Sequence, residues 1–218
     1  YSLDDTASPN DPTPNGDQSN RPPEDPDLSS FGIDRDRERL IPFIHEAQKV
    51  KPSLRFWASP WTPPVWMKTG YKVESISGST PASRPSYFDG GSFNGTTNLL
   101  NAYAAYYTKW VQAYALENIN VEYVSPQNQP GYDSNAPSCL WDNTTYVNWV
   151  KILGTAMQPI SVKVMLGTLA NPGDNGRNDL DIAAAVLADL DAKNAVSVVG
   201  VQWGILDKVI AGTATFQG

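Results

Sequence analysis

Cysteine and histidine are almost absent from this 218-residue chain, which has one of each. A single thiol, Cys139, excludes an internal disulfide and reads as a small buried hydrophobe. His45 falls mid-helix beside apolar neighbours, where packing or a solvated helix face is its expected role. No cluster with metal-ligand spacing, no phosphate loop and no cofactor motif occurs, so neither a metal nor a cofactor is expected. Positive charge is also scarce. Sixteen Lys and Arg against 23 Asp and Glu leave a net charge of −7. Phosphate backbones and anionic lipid surfaces both require clustered cations, so nucleic acid and an anionic membrane are not expected partners. No apolar run is long enough to span a bilayer, which excludes insertion by a helix. The chain starts at Tyr1 rather than Met and shows no apolar signal segment. The expectation is that a signal has been removed or that these residues belong to a longer protein.

Aromatics, Pro and Gly are abundant instead: seven Trp, ten Tyr, 18 Pro and 16 Gly. The last two indicate long, shaped loops. Residues 1–30 hold little that is apolar and read as a surface loop after a strand end. Arg35 to Val50 has helical spacing through Leu40, Ile41, Phe43, Ile44 and Ala47, with Asp34 placed to cap it. Leu54 to Pro60 reads as a strand running into a Pro-rich bend. Residues 69–98 form a long loop that contains Glu74, a conceivable acid. Leu99 to Leu116 is helical, with an aromatic stripe of Tyr103, Tyr106, Tyr107, Trp110 and Tyr114 expected in the core. Val121 to Val124 reads as a buried strand that ends near the Pro130-Gly131 breaker. After it come a loop with Tyr132 and Trp141, a helix over Thr145 to Met157, and a strand over Val162 to Thr168. A helix over Asp181 to Leu190 and a strand over Val198 to Gly204 follow. Strands alternating with helices argue for a parallel sheet with covering helices, an α/β fold. Two triplets, Asn94-Gly95-Thr96 and Asn143-Thr144-Thr145, fit the glycosylation acceptor pattern.

Two stretches are more specific. One is Ser59-Pro60-Trp61-Thr62-Pro63-Pro64-Val65-Trp66-Met67-Lys68, in which prolines stiffen a bend that carries two indoles. The other is Asn128-Gln129-Pro130, at the point where a strand leaves the core. Together they resemble glycoside hydrolase family 30, in clan A, which includes glucosylceramidases, β-1,6-glucanases, β-1,6-galactanases and xylanases. The resemblance implies a (β/α)8 TIM barrel, of which residues 1–218 supply one partial catalytic domain, from about strand 2 to strand 6. It also implies retaining hydrolysis of a β-linked glycan by two carboxyl groups at strand ends.

In the family the Asn-Glu-Pro motif supplies the general acid/base. Here that position is Gln129, and an amide has no titratable proton to give a leaving group. The family's nucleophile, a Glu at the end of strand 7, falls outside this chain. The resemblance assigns Asn128 to the sugar 2-hydroxyl and Asp5 to sugar hydroxyls. Trp61, Trp66, Tyr132, Gln202 and Trp203 are further candidates for the substrate cleft. Asn171-Pro172-Gly173-Asp174 matches another family pattern. The expected protein is a secreted retaining β-glycosidase, inactive or impaired as this chain. The alternative is a pseudoenzyme that binds carbohydrate without cleaving it.

Overall fold

The computed structural model describes residues 24–69, 90–132, 137–170, 179–202 and 205. Four strands, β1 (Phe56–Ala58), β4 (Val121–Val124), β5 (Lys163–Leu169) and β6 (Val196–Val201), form one sheet in that order, with every pairing parallel. Between β1 and β4 the long loop contributes a small antiparallel ribbon, β2 (Lys68–Thr69) with β3 (Ser92–Phe93). The helices α3 (Thr97–Leu116), α4 (Asn143–Met157), α5 (Asp179–Ala188) and α6 (Leu190–Ala195) pack on one another and on the strands. This is a parallel sheet with covering helices, part of a TIM barrel and not its whole.

The helices start and stop where local chemistry dictates. Thr96, Asp142 and Asp189 cap α3, α4 and α6, each accepting an N–H from the first turn. At the far end of α3, Asn118 takes a left-handed conformation at φ 59°. The N–H groups of Asn118 and Ile119 then return to the carbonyls of Ala115 and Tyr114, a Schellman closure. The N-terminal helix differs from expectation. It is two pieces, α1 (Asp34–Glu38) and α2 (Leu40–Val50), broken at Arg39. Pro42 explains the break, because it has no N–H to give the carbonyl of Glu38 and its ring would collide with that carbonyl. Asp34 is the first helical residue rather than a cap, and it pairs with Arg37 at 3.0 Å. Phe43, one of the apolar residues that give the segment its helical spacing, is 72% exposed.

The core lies between the sheet and α3 and α4. The aromatic stripe of α3 is buried along its length. Tyr103 stacks on Trp149 at 4.8 Å between centroids, and Phe93 stacks on Trp141 at 4.2 Å. Trp141 and Cys139 are both fully buried, so Trp141 does not line a cleft. Gly167 in β5 has φ +135°, and a Cβ there would sit 2.1 Å from the carbonyl oxygen of Gly200 in β6. Only glycine permits that approach of the two strands. The next peptide, Gly167–Thr168, is cis. No helix among the described residues is long and apolar enough to cross a membrane.

Candidate functional site

The carboxyl ends of all four parallel strands are laced side to side. The N–H of Ser125 donates to the carbonyl of Ala58 (2.7 Å), and that of Asn128 donates to Pro60 (2.8 Å). The side-chain amide of Gln127 donates to the carbonyl of Trp61 at 2.6 Å. These bonds fasten the end of β4 to the end of β1. On its other side the N–H of Gln129 donates to the carbonyl of Thr168 (3.1 Å), and the N–H of Gln202 donates to Leu169 (2.7 Å). Strand ends in such a sheet have fixed backbones and open side chains, which suits a binding site.

The side chains so placed form one hydrogen-bonded cluster. Asn128 Oδ1 accepts from the Thr168 hydroxyl and from Gln202 Nε2, the latter at 2.8 Å. Gln202 Nε2 also reaches the carbonyl of Thr168 (3.3 Å), while its Oε1 accepts from Gln129 Nε2 (3.2 Å). The Ser59 hydroxyl lies 3.3 Å from that of Thr168. Gln129 holds a left-handed conformation at φ 48°, which turns the chain sharply after the strand. A cavity of about 740 Å³ opens beside the cluster, with Trp57, Trp61, Ser59, Asn128, Thr168 and Gln202 in its wall. Gln129 and Tyr132 are not part of that wall. The cluster is made of amides and hydroxyls and holds no charged group. Glu122, the nearest acid before the motif in sequence, lies toward the opposite end of β4. Both of its oxygens are forked to Arg55 at 2.6 Å, which holds the carboxyl below its usual range.

The structure brings together Asn128, Gln129 and Gln202, expected to share a site on sequence grounds. Trp61 is 44% exposed and faces the cavity, and Tyr132 is 38% exposed in the turn after Gln129. Trp66 is a correction. It was expected to face the sugar, but it is 6% exposed within the core cluster. The reason is the single 3₁₀ turn Val65–Met67, which folds all three side chains inward. Asp5, Glu74, Trp203 and the Asn171–Asp174 motif lie outside the described residues. The sequence reading missed Ser59 and Trp57, which share a strand face because they are two residues apart. It also missed Asp179.

Asp179 opens α5 and is 2% exposed. Its two oxygens accept the backbone N–H groups of Gly131 (2.7 Å) and Ala170 (2.6 Å). Burial outweighs these bonds and pushes the carboxyl from 3.8 up to about 6. A raised folded-state value means that ionisation opposes folding. The associated stability is present in full below pH ~3.8 and is lost as pH rises through about 6. The stability difference between the natural protein and Asp179→Asn should therefore fall by roughly 3 kcal/mol between pH 3.5 and pH 7. Denaturant titrations of both proteins across that range measure it, and a flat difference would contradict it.

The family model for the glycosyl hydrolase family 30 TIM-barrel domain matches residues 17–213. A glucosylceramidase-like protein of Caenorhabditis elegans is 30% identical over 186 residues, which is 80% of this chain and 32% of that protein. An endo-1,6-beta-D-glucanase of Aspergillus fumigatus is 27% identical over 110 residues, covering 50% of this chain and 22% of that protein. In fold, the chain superposes on the solved structure of an endo-beta1,6-glucanase with a TM-score of 0.67 at 24% identity. That match covers 83% of this chain and 38% of the other. The chain thus spans about a third or less of the curated relatives it matches.

Proposed function

Because this chain belongs to glycosyl hydrolase family 30, we propose that it receives a β-linked, glucose-containing glycan or glucoside at the amide cluster. The proposed reaction, once the family's strand-7 Glu is supplied as nucleophile from outside these residues, is retaining hydrolysis impaired at its acid step. The observation that carries this reading is the place of Gln129. It stands in the turn after β4, where the family motif has its acid/base, and its side chain is bonded into the cluster through Gln202. Relatives named as a 1,6-β-glucanase and as glucosylceramidases make a glucosyl unit the first choice of sugar.

The roles follow from the groups present. Asn128 and Gln202 offer amide donors and acceptors to sugar hydroxyls, and the exposed Trp61 ring offers a face for the C–H side of a pyranose. Gln129 can hold the glycosidic oxygen by a hydrogen bond but cannot protonate it. Cleavage then depends on leaving groups that depart as anions without help. A second reading, a carbohydrate-binding pseudoenzyme, is favoured by the neutrality of the cluster, in which every polar side chain is already paired with another.

The test combines calorimetric titration of a β-1,6-gluco-oligosaccharide with turnover of a dinitrophenyl β-glucoside. Binding that weakens in Trp61→Ala, together with turnover of the activated glucoside alone, is the expected result. Binding without turnover of either substrate would select the pseudoenzyme. Neither binding nor turnover would overturn the glycan reading. Secretion is part of the same proposal, and recovery of the protein from its source's culture medium would support it.

A further inference from the structure

Asp179 lies 50 residues after Gln129 in the chain and belongs to none of the motifs above. A carboxylate that only has to start a helix does so at the surface. Asp189 does this, accepting the N–H of Ala192 within its own helix and the ammonium of Lys151. Asp179 is different in each respect. It is buried, no cation among the described residues pairs with it, and both of its bonds point away from α5. Burying an unpaired carboxylate costs several kcal/mol, so a fold retains one only where its bonds fix something.

The fixed elements are the two backbone segments that carry the cluster. Gly131 is two residues after Gln129 and one before Tyr132. Ala170 is two residues after Thr168. Apart from the Gln129 amide on Gln202, the turn from Gln129 to Tyr132 is otherwise held by backbone groups: Gln129 N–H on Thr168, Tyr132 N–H on Gln129, and the Pro130 carbonyl under Trp141 N–H. Gln202 bridges the Gln129 side chain to the Thr168 carbonyl, but among the described residues Asp179 supplies the one side chain that joins the backbone of this turn to the backbone at the end of β5. A carboxylate is suited to the task because both of its oxygens accept. An amide in its place would turn an NH₂ toward one of the two backbone donors.

We propose that Asp179 is the positioning residue of the glycan site, setting through Gly131 where the Gln129 amide and the Tyr132 ring meet a sugar. The inference rests on the glycan reading for its ligand, but not for its geometry.

The test compares the natural protein with Asp179→Asn and with Asp189→Asn as a control. The ¹⁵N side-chain resonances of Gln129 and Gln202 and the backbone resonance of Gly131 report position. Calorimetry with a β-1,6-gluco-oligosaccharide reports affinity, and thermal unfolding reports stability. Asp179→Asn is expected to move all three resonances and to raise Kd at least tenfold while unfolding stays cooperative. Asp189→Asn is expected to lower Tm without moving either. Unchanged Gln129 and Gly131 resonances in folded Asp179→Asn would overturn the proposal. If that variant fails to fold, Asp179→Glu, which keeps both acceptors but lengthens the reach by one methylene, decides by the same resonances. If the natural protein binds no oligosaccharide, the glycan reading fails, and the resonances still decide whether Asp179 positions Gln129.

Discussion

In the protein that also carries the family's strand-7 Glu, replacing Gln129 by Glu is expected to raise turnover of unactivated β-glucosides by about 10²–10⁴-fold, the usual contribution of a positioned general acid. The neighbourhood suits the change. Gln202 Oε1 now accepts from Gln129 Nε2 at 3.2 Å, so the same oxygen can accept the O–H of a protonated carboxyl in the same place. An acceptor aimed at the group favours its protonated form, as does its half-buried setting, and both raise the pKa of an acid there. A dinitrophenyl glucoside, whose leaving group needs no proton, should gain little. The measurement is kcat on the two substrates for both proteins. Equal gains on both, or no gain on either, would show that residue 129 does not serve the leaving group.

Trp149→Ala should cost about 3–5 kcal/mol of stability, the range for a large aromatic removed from a packed core. Trp149 is fully buried. It stacks on Tyr103 at 4.8 Å, meets Tyr107 edge-on at 5.4 Å and lies 6.1 Å from Trp141. Its indole N–H donates to the carbonyl of Pro126 at 3.1 Å, so the same side chain braces the strand end that leads to Asn128 and Gln129. Trp149→Phe keeps a ring in the stack and loses the donor. Tyr107 still donates to the Pro126 carbonyl at 3.0 Å, so this milder change should cost clearly less. Urea midpoints at unchanged slope would read both effects. A Trp149→Ala protein as stable as the natural one would remove the aromatic stack from the account of the core.

These two residues also show what was legible before any coordinates. The helix that carries Trp149 and the buried stripe on α3 follow from periodicity, because a face repeated every three to four residues can hide only against a neighbour. Gln129 follows from a motif at a strand end. The two indoles of the Pro-rich bend could not be separated in this way. Trp61 and Trp66 sit in similar local sequence, and the turn at Val65–Met67 sends Trp66 inward while Trp61, in the bend before it, stays exposed. The break at Arg39 was available in Pro42, whose missing N–H outweighs the helical spacing around it. Asp179 left no local signal, since its partners are 48 and 9 residues away and a helix-opening Asp is ordinary in sequence.

The contact between Gly167 and Gly200 bears on how this pocket can change. A side chain at 167 would have to displace β6, and Gln202, two residues beyond Gly200, would move with it. One added methyl group would thus pull Gln202 from Asn128 and Thr168 together, undoing the cluster without touching any of its members. Sequence drift at the end of β5 is confined in consequence. Selection or redesign for a different sugar has room at Ser59 and Trp61, whereas at Gly167 the first step already dismantles what the later steps would refine.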